Sequence, residues 1–337
     1  MNLKKKLYID YLRDGVRNLL ENDPKVFLIG EDIAEPYGGS FKVTKGLSDD
    51  FPGRLISTPM SEQGFIGMSI GMSIDGLKPI VEIMFGDFIT LAVDQIVNHI
   101  SKFCWLYNWN LNFVLRTPIG GYRGYGATHS QCLEKIFLGL PNIHIVSPSI
   151  LYNPGDLLLK AINLGKPVIF IENKLDYNRQ MVWDKDNYSD LLLIKTNDIF
   201  PIFQVSMRDF DSPEFSIISY GGLISELLDL QNELFFEDEI KIKIISVSEL
   251  SIQNFESLFS LIKNDKGVLI LEEGHYPFSW SDTIANQLIQ LGYSAAIRTM
   301  GSKNKVIGTS KTLEDWVLPN KDTIKYELKL LGIYDDN

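Results

Sequence analysis

Short apolar runs and amphipathic stretches alternate along the first two hundred residues of the chain. The runs Val26-Phe-Leu-Ile-Gly, Pro79-Ile-Val-Glu-Ile-Met-Phe, Leu111-Asn-Phe-Val-Leu-Arg, Ile143-His-Ile-Val and Pro167-Val-Ile-Phe-Ile-Glu have the length and side chains of buried strands. Between several of them, apolar residues three and four apart predict helices over 89–107 and 156–164. Buried strands alternating with helices predict an α/β fold, a largely parallel sheet with helices on both faces.

A polar stretch of weak pattern over 175–213 interrupts this rhythm. A second series follows: strand Phe215-Ser-Ile-Ile-Ser-Tyr, helix 223–236, strand Lys241-Ile-Lys-Ile-Ile-Ser-Val, helix 255–262, strand Gly267-Val-Leu-Ile-Leu-Glu-Glu, helix 281–291 and strand Ser294-Ala-Ala-Ile-Arg. The pattern therefore predicts two α/β domains, 1–195 and 196–337, each a largely parallel sheet flanked by helices. A chain of 337 residues suits two cores better than one.

Composition adds exclusions. A net charge of −11 repels phosphate, so neither nucleic acid nor an anionic membrane is an expected partner. Cys104 and Cys132 lack CxxC spacing and give no disulfide framework. No apolar stretch approaches the roughly 20 residues of a membrane helix. Charges also interrupt the start of the chain where a signal peptide needs an apolar segment. The expectation is a soluble, cytoplasmic protein.

Candidate chemistry concentrates in Thr58-Pro-Met-Ser-Glu-Gln-Gly-Phe-Ile-Gly-Met-Ser-Ile-Gly. Pro59 and Ser61 mark a helix start and place Glu62 in its first turn. Gly64, Gly67 and Gly71 then lie inside the helix, each costing about 1 kcal/mol relative to alanine. Either something rigid approaches this helix closely, or it simply tolerates small residues. Taken alone, Glu62 is equally an ordinary helix-start carboxylate.

Four blocks, in order, carry a resemblance. They are Ile29-Gly-Glu-Asp with Gly38-Gly-Ser-Phe-Lys-Val-Thr-Lys-Gly-Leu; the Glu62 block; Gly76-Leu-Lys-Pro-Ile-Val-Glu-Ile-Met-Phe-Gly-Asp-Phe leading to Asp94-Gln-Ile; and His129-Ser-Gln. Together they resemble the β subunits of the pyruvate, branched-chain 2-oxoacid and acetoin dehydrogenases, a thiamine-diphosphate-dependent, transketolase-like family. The resemblance implies a pyrimidine-binding first domain and a transketolase C-terminal-like second domain. It also implies that Glu62 hydrogen-bonds N1′ of the cofactor's aminopyrimidine and favours its activating imino tautomer. Phe88 occupies the position of a ring that stacks on the pyrimidine, with Met84 one helical turn before it. His129 takes the place of the active-site acid, a role suited to an imidazole. Without the resemblance, Met84 and Phe88 would be core residues, and His129 a histidine at the end of the loop Gly120-Gly-Tyr-Arg-Gly-Tyr-Gly-Ala-Thr.

Neither the Gly-Asp-Gly nor the downstream asparagine that holds magnesium and diphosphate in thiamine enzymes occurs; Gly155-Asp156 is followed by Leu157. No metal site is assigned to this chain. The diphosphate and Mg2+ are expected on an α-type partner in an α2β2 heterotetramer, with thiamine diphosphate shared between the chains. The implied function is 2-oxoacid decarboxylation with acyl transfer to lipoamide. Docking to a lipoyl acyltransferase core is less well supported, because the second domain departs from the family pattern. Bulky aromatics His275, Tyr276, Phe278 and Trp280 follow Glu272-Glu-Gly, and Val306-Ile-Gly-Thr-Ser-Lys-Thr-Leu-Glu-Asp-Trp replaces a proline-tyrosine motif. That departure motivates two alternatives: a carboligase built from the same two halves, or a catalytically silent scaffold.

Overall fold

A computed structural model of the chain describes residues 5–184, 191–208, 213–252 and 254–333. Parts of the polar stretch, 185–190 and 209–212, lie outside the described residues.

The first unit runs α1 (Tyr8–Asn22), β1 (Val26–Gly30), the short α2 (Leu47–Asp50), β2 (Leu55–Ser57), α3 (Glu62–Ile74), β3 (Lys78–Glu82), α4 (Ser101–Leu106), β4 (Val114–Ile119), β5 (His144–Val146), α5 (Pro154–Ile162) and β6 (Val168–Asn173). Its six strands lie in the order β2-β1-β3-β4-β6-β5, all parallel. All six residues of β4 and all six of β6 are buried, as strands covered on both faces must be. Helices α1 and α5 cross at a contact between glycines: a Cβ on Gly15 would stand 2.3 Å from the Gly155 Cα.

The expected helix over 89–107 is three pieces. A 3-10 turn covers Gly86–Ala92, a π-helical turn covers Gln95–Ile100, and only α4 is a regular helix. Tight packing at its start accounts for the break. Gly86 is pressed on Ile119, and the buried Asp87 accepts a hydrogen bond from Gln131 at 2.7 Å.

The second unit runs β7 (Leu191–Lys195), β8 (Ile202–Met207), β9 (Phe215–Ser219), α6 (Leu223–Asp238), β10 (Ile242–Val247), α7 (Phe255–Ile262), β11 (Gly267–His275), α8 (Trp280–Gln290), β12 (Ala296–Ser302), α9 (Lys311–Val317) and α10 (Lys321–Leu330). Its order is β12-β11-β9-β10-β8-β7, parallel except for the antiparallel β10-β8 and β8-β7 pairs. Hairpin β7-β8 thus occupies part of the stretch that the sequence pattern left without elements. Leu192, Leu193 and Ile194 of edge strand β7 are all exposed, so no alternation marks it.

The two sheets are stitched together. Val146 and Glu249 form a β-bridge flanked by Ser147 N–H to Ser248 O at 2.8 Å and Leu250 N–H to Ile145 O at 2.7 Å. Both main apolar clusters contain residues from the two sheets, such as Val114 with Ile217 and Leu115 with Ile245.

Candidate active site

In a parallel sheet every strand ends on the same edge, and ligands of α/β proteins bind beyond those carboxyl ends. Here Glu31 follows β1, Glu62 follows β2, Met84, Phe85 and Phe88 follow β3, and the loop carrying His129 follows β4. These four strands are neighbours, so the sheet collects the candidate residues along one rim.

Glu62 is the first residue of α3 and is buried. Its carboxylate takes no hydrogen bond or ion pair from another described residue, and its oxygens are not fully sealed from solvent. Glu31 is also buried, and its Oε1 has no partner. Burial raises the Glu31 pKa above the usual carboxyl value, the charges of Glu62 and Asp32 raise it further, and the Ser61 backbone N–H opposes them. Of the α3 glycines, Gly67 faces the Gln95 side chain closely, whereas Gly71 faces open space. Close approach within the chain therefore accounts for Gly67 and not for Gly71.

Rings surround His129. Phe85 meets its imidazole edge-on at a centroid distance of 4.6 Å and Phe88 at 5.2 Å, while Tyr125 stands 6.0 Å from Phe85. Thr128 Oγ1 lies 3.0 Å from His129 Nδ1. Lys174, fully buried, donates from Nζ to the His129 carbonyl at 2.5 Å and sits 5.4 Å from the Phe85 centroid. Burial holds its ammonium below the usual lysine pKa, opposed by the charges of Cys132, Glu273 and Asp87. Met84 is half-buried in the bend after β3, not one helical turn before Phe88, because the 3-10 turn begins only at Gly86.

Below the rim, Arg116 on β4 ties three strands together. Its Nε and Nη2 donate to Glu172 on β6 at 2.7 and 2.8 Å, and Nη1 donates to Glu82 on β3 at 2.8 Å. Tyr177 donates to Glu172 at 2.6 Å. This buried, hydrogen-bonded cluster gives the site a rigid floor.

Sequence reasoning did not single out Glu31, Phe85, Tyr125 or Lys174. Glu31 and Phe85 lay inside quoted blocks, so proximity to Glu62 and Met84 was an available signal. Lys174 left none, since a lone lysine after a strand reads as a surface residue. The aromatic group at 275–280 does not act as one surface. Trp280 is buried 4.9 Å from the Tyr220 ring and donates to Leu250 O, whereas Phe278 is exposed.

A parallel sheet with candidate residues on its carboxyl rim, joined to a second mixed sheet, defines a two-domain transketolase-like protein. Residues 4–180 match the transketolase pyrimidine-binding domain and 207–324 the transketolase C-terminal domain. The chain is 29% identical over 342 residues to the Bacillus subtilis acetoin:2,6-dichlorophenolindophenol oxidoreductase subunit beta, covering 96% of each chain. It is 35% identical over 274 residues to the pyruvate dehydrogenase E1 component subunit beta of Gracilaria tenuistipitata, covering 79% of this chain and 80% of that one. In fold it resembles a split-gene transketolase solved as an inactive beta4 tetramer, with a TM-score of 0.73 over 98% of this chain and all of the other at 18% identity. The chain belongs to the family of transketolase-like β subunits that includes those of pyruvate dehydrogenase E1 and acetoin oxidoreductase. No helix among the described residues is long and apolar enough to cross a membrane.

Proposed function

We propose that this chain is the pyrimidine-activating half of a thiamine-diphosphate-dependent 2-oxoacid dehydrogenase, completed by an α-type partner in an α2β2 assembly. The observation that carries the proposal is Glu62: a largely buried residue on the carboxyl rim of a parallel sheet, whose carboxylate takes no donor from its own chain, close to Glu31, whose Oε1 is buried and unpaired. A carboxylate with no donor from its own chain leaves its acceptor capacity to a bound ligand. A protonated or proton-sharing ring nitrogen would satisfy it, so the residues present fit an aminopyrimidine.

Bound there, thiamine diphosphate supplies an electron sink for the carbanion left by decarboxylation. Glu62 holds a proton at the pyrimidine N1′, and Phe88 and Met84 give that ring an apolar wall. His129 delivers and withdraws protons at the substrate carbonyl oxygen and during acyl transfer to lipoamide. Lys174 and the surrounding rings fix the imidazole and exclude water.

The partner is supported by α3, which exposes Met68 and Ile74. Assignment of Mg2+ and diphosphate to that partner rests on the missing Gly-Asp-Gly signature. The testing experiment is calorimetric titration of thiamine diphosphate and Mg2+ into this chain, alone and with its α-type partner. Binding only in the presence of the partner is expected. Tight binding by the chain alone would refute the shared site, and no binding in either case would leave the silent scaffold.

A further inference from the structure

The loop 120–131 has no regular structure, so its backbone amides need partners from elsewhere. Two of them are met by carboxylates of the second domain. Glu273, at the end of β11, accepts from Gly121 N–H at 2.5 Å through one oxygen and from Asn173 Nδ2 at 3.0 Å through the other. Glu314, on α9, accepts from Gly124 N–H with both oxygens, at 3.0 and 3.2 Å. Gly124 has a φ of 68°, the left-handed conformation that aims its N–H there.

Further contacts come from the same side. Tyr122 Oη donates to Pro319 O at 2.5 Å, Gly121 packs on Leu318, and Gly126 packs on Thr309. Beyond the loop, Lys135 Nζ donates to His275 O at 2.8 Å. Glu314 is completely buried and has no cation partner among the described residues. For stability alone an apolar side chain would serve better at such a position. A buried carboxylate aimed at one glycine amide fixes a backbone conformation instead. Thr309, Glu314 and Leu318 lie in or beside the segment that departs from the family's proline-tyrosine motif, a feature that the proposed cofactor chemistry leaves unexplained.

We propose that Glu273 and Glu314 are positioning residues for His129, through which the second domain holds the loop that carries the active-site acid. The inference rests on the role assigned to His129, and its test separates the two. In the assembled protein, hydrogen–deuterium exchange is followed over 120–131 in wild type, Glu314→Ala and Glu314→Gln. Decarboxylation with a dye acceptor and acyl transfer to lipoamide are measured in parallel.

Glu314→Ala should speed exchange in 120–131 and lower kcat for acyl transfer about tenfold, with KM for the 2-oxoacid unchanged. Glu314→Gln, which keeps a neutral acceptor, should recover most of both. Unchanged exchange in the alanine variant overturns the proposal, and so does equal damage in the two variants. If Glu314→Ala does not fold, Glu273→Gln carries the exchange test: faster exchange at Gly121 supports the brace and wild-type exchange refutes it. His129→Ala tests the underlying reading by itself. Full acyl transfer in that variant would remove His129 from the chemistry while the exchange result still decides the brace.

Discussion

Glu62 and Glu134 are two carboxyls in different surroundings. Glu62 lacks an internal donor, so Glu62→Gln should leave the fold intact. It should still cut turnover of the assembled enzyme by about 100-fold or more, because an amide cannot exchange the proton. Comparing melting curves with steady-state rates checks both halves, and normal turnover would exclude the mechanism. Glu134 lies between the domains, bonded to the Tyr220 hydroxyl through one oxygen, with the other buried and unpartnered. Burial raises its pKa from 4.5 to about 7, against the opposing hydrogen bond from Tyr220. Below pH about 4.5 the group is protonated in both folded and unfolded chains and adds no pH dependence. As pH rises through the window from 4.5 to about 7, the unfolded chain loses this proton first. Folding stability should therefore fall by up to about 3 kcal/mol from this residue across that window. Glu134→Gln should flatten that part of a denaturation-versus-pH profile.

At the level of elements, packing decides what periodicity leaves open. Tyr8, Leu12, Val16, Leu19 and Leu20 are all buried on one face of α1, a stripe with helical spacing. Charges interspersed along it blur the stripe in the sequence, which is clear only once the helix is packed. Helix α3 was legible because Pro59 and Ser61 punctuate its start. The break at 86–106 was not, since a single 3-10 or π turn is too short to impose a period of its own on the apolar spacing. The crossing of α1 on α5 was equally hidden, because only the partner's backbone shows why Gly15 is glycine. Gly15→Ala should destabilise the chain by about 1–3 kcal/mol, despite alanine's better helix propensity, since the new methyl meets backbone. Urea denaturation distinguishes this from the gain of up to about 1 kcal/mol that propensity alone predicts.

Across the whole molecule, residue blocks carried the family, and strand order gathered Glu62, Phe88 and His129 on one rim. Phe85 and Lys174 became visible only through contacts, as did the braces from Glu273 and Glu314. Residues 121 and 273 are far apart in sequence, and a backbone amide leaves no trace in side-chain pattern. Negative charge remains a plain constraint: in the proposed assembly, a chain of net charge −11 favours a partner with a less acidic face.

The bridge between Val146 and Glu249 has a consequence for how the chain comes apart. Apolar residues of the two sheets interleave in common clusters, so neither half keeps a closed interior when its neighbour opens. Melting should be a single cooperative event, with calorimetric and van't Hoff enthalpies in a ratio near 1. Two resolved transitions would mean that the halves are separable. If the transition is single, residues 1–190 expressed alone should expose the edge of β5 that Ser248 and Leu250 now pair with, and aggregate.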